Sequence, residues 1–238
     1  MTISRTDTVI VVGFLILVQG TGALAGFWLP AIAPEVGQSL GLSPSLIAYP
    51  VLILYILAMI SSLMAGGIVR SFGAWRSSQA ALILIGVSHL MFMNGSLLFL
   101  ALGSIILGGA YGLLTPPASH LLSKIVTPKN RNLIFSIRFT GVPLGGILAG
   151  LLAPSVALEY GWRESMTVTI VISLVIAISM QPFRKRWDRD RLKSAKIFRN
   201  PISDICLVWK LSALKWVALS GLCMGAIQTT LTTYTCLL

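Results

Sequence analysis

Seven long apolar runs dominate the chain, at about 9–29, 45–69, 77–94, 97–121, 132–157, 164–181 and 211–235. Each is near the ~20 residues that carry a helix across a bilayer. Apolar residues surround most of these segments on all sides, which predicts membrane spans rather than amphipathic surface helices. β-Barrel strands would be shorter and would alternate in polarity. Composition agrees: 55% of the 238 residues are hydrophobic and 11% charged, whereas a water-facing surface needs roughly 25% charged residues. A soluble enzyme, a disordered protein and a secreted disulfide scaffold are excluded. The predicted fold class is all-α, a polytopic transmembrane helix bundle of six spans plus a seventh.

The basic residues set the orientation. Sixteen of the 18 Lys and Arg fall at the N-terminus, in the alternate loops after spans 2, 4 and 6, or at the start of span 7. The opposite loops hold only Arg163, and Arg138 lies inside span 5. This is the positive-inside pattern, so the N-terminus is expected in the cytoplasm of a cell with a bacterial-type inner membrane. Topology accounts for the net charge of +11, and no nucleic-acid partner is expected. Residues 8–18 followed by Ala23-Leu24-Ala25 resemble a cleavable leader, but apolar residues continue to Leu29 and complete a crossing, which favours an uncleaved span. Asn94-Gly95-Ser96 reads as helix-end chemistry rather than a glycosylation site. Cys206, Cys223 and Cys236 lack metal or redox spacing, and no metal or cofactor is expected.

Three regions follow: a six-span bundle over 1–181, a basic cytoplasmic linker over 182–210, and a seventh span over 211–238 that would start a second bundle. Two readings of the linker stand, a short helix on an anionic membrane surface and a solvated connection. Gly22-x3-Gly26-x3-Pro30 in span 1 recurs as Gly108-x3-Gly112-x3-Pro116 in span 4. These spans run in opposite directions, so spans 1–3 and 4–6 are expected to form inverted repeats, as in many secondary transporters.

Three stretches carry a family resemblance. Gly66-Gly67-Ile68-Val69-Arg70-Ser71-Phe72-Gly73-Ala74-Trp75-Arg76 follows span 2, Gly141-Val142-Pro143-Leu144-Gly145-Gly146 lies in span 5, and Gly161-Trp162-Arg163 precedes span 6. With six spans, a basic loop and a further span, they resemble the first half of a major facilitator superfamily transporter and the start of its second. The stretch from Asn130 to Arg163 is similar to the cyanate/nitrate-permease-like branch. The family's loop pattern is G-x-x-x-D-R-x-G-R-[RK]. Gly66 and Gly73 match it and Arg76 comes one position late, but Arg70 replaces the acid and Ser71 the arginine. The resemblance implies a conformational role for these residues and for Gly141, Pro143, Gly145 and Gly146, with the acidic partner of the loop missing. In span 5 the proline stands one place late against the antiporter pattern, and antiport is not inferred.

Polar residues within spans are costly and need a reason. Arg138 shares a helical face with Gly141 and Gly145, and small residues mark faces packed on other helices. Two readings stand, a fixed cation for an anionic solute and a side chain that snorkels to the headgroups or pairs structurally. Gln19 and Thr21 in span 1, Tyr111 and Thr115 in span 4, and Gln228 and Thr232 in span 7 are neutral candidates for solute contact; interhelical hydrogen bonding is the alternative for each. Tyr111 and Thr115 stand i, i+4, which puts them on one face of a continuous helix. All seven Asp and Glu fall in loops or at span edges, so no intramembrane carboxylate supports proton coupling here.

The expected function is secondary transport of a small anionic solute by alternating access, with the lipid bilayer as the surroundings. A membrane enzyme would need paired catalytic groups within the spans, and none are present. The alternative is a truncated, non-transporting membrane fragment or scaffold, because family members have two six-span halves. A missing C-terminal half or a weak homodimer would then cover the apolar surface left open.

Overall fold

The computed structural model describes residues 4–43, 46, 48–192, 206 and 209–235, with the backbone alone for 5, 213 and 228–235. The described elements are helical. They are α1 (Arg5–Ala31), α2 (Ala33–Leu40), α3 (Ala48–Phe72), α4 (Ala74–Met93), α5 (Leu97–Gly112), α6 (Thr115–Ile125), α7 (Arg131–Phe139), α8 (Gly141–Tyr160) and α9 (Trp162–Ser179). A 3-10 turn at Gln181–Phe183 and the short α10 (Arg184–Trp187) follow, and α11 covers Ser212–Thr235. Two compact units result, Met1–Ile197 and Phe198–Leu238.

Five helical stretches are long and apolar enough to cross a membrane: Thr6–Ala31, Ala48–Phe72, Leu97–Ile125, Arg131–Tyr160 and Trp162–Trp187. The third span expected from sequence is α4. At 20 residues it is about 30 Å long, but Ser77, Ser78, Gln79, Ser88 and His89 make it more polar. All five are buried, and most find partners: Ser77 and Ser78 donate to carbonyls one turn back, and Gln79 Nε2 donates to Ala177 O at 2.9 Å. The helix sits inside the bundle, where protein takes the place of lipid. In α11 the apolar stretch Leu214–Ile227 is shorter, and the helix exposes Trp216, Val217 and Leu222 within its own unit.

Four helix pairs build the first unit: α1 with α8, α3 with α5, α4 with α9, and α4 with α5. Exchanging spans 1–3 with 4–6 maps the first pair onto the second and the third onto itself, as the expected inverted repeat requires. Glycine allows the close approach in the first three pairs. A Cβ on Gly145 would overlap the carbonyl oxygen of Gly20, and one on Gly108 or Gly112 would overlap the carbonyl oxygen of Leu54 or Ala58. A Cβ on Gly86 would come 3.2 Å from Ser173 Oγ.

The loops carry the repeat too. Gly73 opens α4 at φ 98°, ψ 149°, and Gly161 opens α9 at φ 96°, ψ 152°. L-residues rarely take positive φ, which explains a glycine at both starts. A buried tryptophan and an arginine follow each: Trp75 and Arg76, Trp162 and Arg163. The glycines read from sequence as the repeat are not equivalent. Gly22 and Gly26 face Leu114 and Tyr111 of span 4, while Gly108 and Gly112 face span 2.

Ala23-Leu24-Ala25 lies mid-helix in α1 with all three side chains buried. Ser96 caps α5 by accepting from Phe99 N, and Asn94 Nδ2 donates to Leu90 O, 3.1 Å, at the end of α4.

Candidate functional site

Spans 4 and 5 are each broken. Span 4 stops at Gly112 and restarts at Thr115, ahead of Pro116 and Pro117. Proline lacks an N–H and clashes with the preceding turn, so it starts a helix more readily than it continues one. Span 5 breaks at Thr140, between α7 and α8. The buried stripe nevertheless runs through the break: Ile134, Arg138, Gly141, Gly145, Ala149.

Arg138 lies on that stripe and is fully buried, at 0% exposure. It does not snorkel. Nη2 donates to Gln19 Oε1 at 2.7 Å and reaches Thr115 Oγ1 at 3.5 Å. The guanidinium carbon stands 4.9 Å from the Phe139 ring centroid. Nε and Nη1 have no hydrogen-bond partner, and among the described residues no carboxylate pairs with Arg138. Arginine stays protonated in proteins, so a full positive charge sits in the bundle with part of its donor set unused. Its position in the last turn of α7 places it at the negative end of that helix dipole, a favourable but small compensation.

The other candidates divide. Gln19 and Thr115 join Arg138. Thr21 donates to Leu17 O at 2.8 Å within its own helix. Tyr111 packs edge-on against Tyr55, centroids 6.1 Å apart. It does not share a continuous helical face with Thr115, because the break at Leu113 and Leu114 falls between them. Gln228 and Thr232 lie on α11, but their side chains fall outside the described residues. Pro143 is exposed near the start of α8, where a missing N–H costs nothing. A Cβ on Gly141 would come 2.6 Å from Ile16 O and 3.2 Å from Gln19 Cβ, and one on Gly146 3.4 Å from Phe27. Gly66 and Arg70 are exposed.

A second cluster occupies the basic end of the bundle. Asp188 Oδ1 accepts from Trp75 N at 2.8 Å and Oδ2 from Arg76 N at 3.0 Å, so it caps α4 as an N-cap side chain would. It also stands 3.7 Å from Arg76 Nε. An acid therefore does serve the loop after span 2, and it comes from beyond span 6. Trp75 Nε1 donates to Met180 O at 2.7 Å, and its ring meets Phe14, Phe183 and Trp187. Asp190 accepts from His120 Nε2 at 2.9 Å and pairs with Lys124 Nζ at 2.6 Å; Arg186 pairs with Asp7. Residues 184–192 thus fasten to spans 1, 3 and 4 through Arg186, Asp188 and Asp190. The rest of the expected linker up to 205 lies outside the described residues. Sequence gave little sign of Asp188, one of two acids in a basic run.

Burial pushes the Asp188 carboxyl up to about 6, against the Trp75 amide and the Lys124 charge, which favour its ionised form. For Asp190 burial also raises the value, but hydrogen bonds from Lys124 and His120 outweigh it and hold the group below the usual carboxylate range. A raised carboxyl favours the docked segment as pH falls from 7 through 6, and a lowered one keeps its contribution until pH falls below about 4. Docking of 184–192 should tighten by roughly tenfold between pH 7.5 and 5. Hydrogen-exchange protection of that segment, corrected for intrinsic rates, measures this; weaker protection at pH 5 would contradict it.

The sequence profile described as Major Facilitator Superfamily matches residues 13–238. A hexuronate transporter of Bacillus subtilis (strain 168) is 26% identical over 89 residues, 36% of this chain and 21% of that protein. Crystal structures of a peptide transporter POT variant are similar in fold. The complex with sulfate aligns at TM-score 0.65 and 20% identity over 92% of this chain and 44% of that one. The complex with alafosfalin aligns at 0.62 and 21%, over 92% and 45%. The chain spans less than half the length of these relatives.

Proposed function

The chain belongs to the major facilitator superfamily, and from that premise we propose that it moves a small anionic solute across a membrane by alternating access, with Arg138 as the fixed cation that receives the anion. The carrying observation is a buried guanidinium with Nε and Nη1 unpartnered and, among the described residues, no acid beside it. Such a charge costs several kcal/mol to bury, and an anion would return much of that. The helix breaks support the reading. α6 and α8 begin beside Arg138, and half-helix N-termini at interrupted spans favour anions in transporters. Pro116 and Pro117 leave α6 offering its dipole more than its N–H donors. The chemistry is transport and not catalysis, and it needs no cofactor. The hexuronate of the B. subtilis relative is an anion, in keeping with this class.

The test is uptake in proteoliposomes of labelled nitrate, cyanate and hexuronate against a neutral sugar. Saturable uptake of an anion, competed by other anions, supports the proposal. Uptake of the sugar alone, or of nothing, contradicts it.

The membrane is a cell's inner membrane, with the N-terminus and the Asp188 cluster on the cytoplasmic side, because sixteen basic residues against one follow the positive-inside rule. With Cys206, Cys223 and Cys236 changed to serine, Arg189→Cys should react with an impermeant thiol reagent only from the cytoplasm and Gln38→Cys only from outside. Reaction of both from one side would overturn this orientation.

A further inference from the structure

A cleft of about 710 Å³ opens on the flank of the bundle, lined from α3, α4 and α9 and by Leu113 at the break of span 4. Its size is in the range in which proteins enclose small ligands, roughly 300–1,000 Å³. Its walls are apolar: Phe72, Ile83, Leu174 and Ile178 line it, and each is at least 40% exposed. Its polar residues gather toward the basic end, where Arg76, Gln181 and Arg184 form the rim. From Leu174 to Arg184 the chain covers ten residues, about 15 Å at helical rise. That is half of a ~30 Å hydrocarbon core, the depth of one leaflet.

The rim carries unspent positive charge. Arg76 Nε is buried 3.7 Å from Asp188 Oδ2, too long for a hydrogen bond, while the Arg76 side chain as a whole stays 26% exposed. Arg184 forms no ion pair among the described residues. Asp188 is the one acid paired at this rim, and its side chain, 1% exposed, sits behind Arg76 rather than in the cleft. Two cations against one anion leave a net positive rim above an apolar trough. A free inorganic anion would gain nothing from those walls, and a zwitterionic lipid would gain nothing from the surplus charge. We propose that this cleft holds one anionic phospholipid, its phosphate between Arg76 and Arg184 and an acyl chain along Phe72, Ile83, Leu174 and Ile178.

The test is native mass spectrometry of the delipidated full chain, titrated with phosphatidylglycerol and with phosphatidylcholine of the same acyl chains. The chain should bind phosphatidylglycerol in preference. Arg184→Gln, which leaves the Arg76–Asp188 contact in place, should weaken phosphatidylglycerol about fivefold and spare phosphatidylcholine, since each basic residue at an anionic surface contributes about a factor of five. Ala80→Trp, on the exposed cleft wall, should reduce binding of both lipids. Glycerol phosphate, a headgroup without chains, should not compete. Equal affinity for the two lipids, insensitivity to both substitutions, or competition by glycerol phosphate as strong as by the lipid would each overturn the proposal.

Discussion

Replacing Arg138 by methionine together with Gln19 by leucine should raise the stability of the purified protein by about 1–4 kcal/mol, the range seen when buried ionic groups give way to apolar residues of similar volume. The reason is the imbalance at Arg138. One hydrogen bond to Gln19, at 2.7 Å, and a long one to Thr115 stand against a full charge at 0% exposure with two nitrogens unpartnered. Removing Arg138 alone would leave Gln19 Oε1 buried without a donor, at a cost of about 1–3 kcal/mol, so the pair is changed together. Thermal unfolding in detergent measures the difference; a loss of stability in the double variant would show that Arg138 holds the helices together.

Gly145→Ala should do the reverse. The added methyl would overlap the carbonyl oxygen of Gly20 and come within 2.8 Å of Ala23 Cβ and 2.9 Å of Leu24 N. Two of those atoms are backbone, so no side chain can swing aside, and α1 and α8 must separate along their seam. Overpacking of this kind costs about 1–3 kcal/mol and sometimes more. Gly66→Ala is the control, since its Cβ would meet nothing within 4 Å. Gly145→Ala should lower the melting temperature by several degrees and Gly66→Ala should leave it unchanged within error. Equal melting temperatures for the two would contradict the packing described.

The helices were legible because hydrocarbon demands long apolar runs, and each run of the first unit became a helix or a pair of collinear helices. Arg138 was legible for the same reason: a charge within a glycine-faced span has few cheap explanations. The break between Tyr111 and Thr115 was signalled by Pro116 and Pro117, yet an i, i+4 spacing assumes an unbroken helix. The repeat was real but misplaced by sequence. Gly-x3-Gly spacing reports close approach to some neighbour, whereas the shared backbone of Gly73 and Gly161 reports equivalent position. Asp188 was hidden because its role rests on a tertiary contact to residues 113 and 112 positions earlier. No local pattern connects an acid in a basic run to the start of α4.

Arg138 is the residue we propose receives the anion. Equilibrium binding of nitrate, cyanate and hexuronate to the purified protein, compared across wild type, Arg138→Lys and Arg138→Gln, tests that role most directly. A charge-assisted hydrogen bond contributes about 1.5–3 kcal/mol, so Arg138→Gln should weaken the bound anion by roughly 10- to 150-fold. Arg138→Lys, which keeps the charge but loses the planar fork, should fall between the two. One affinity shared by all three proteins would contradict the proposal.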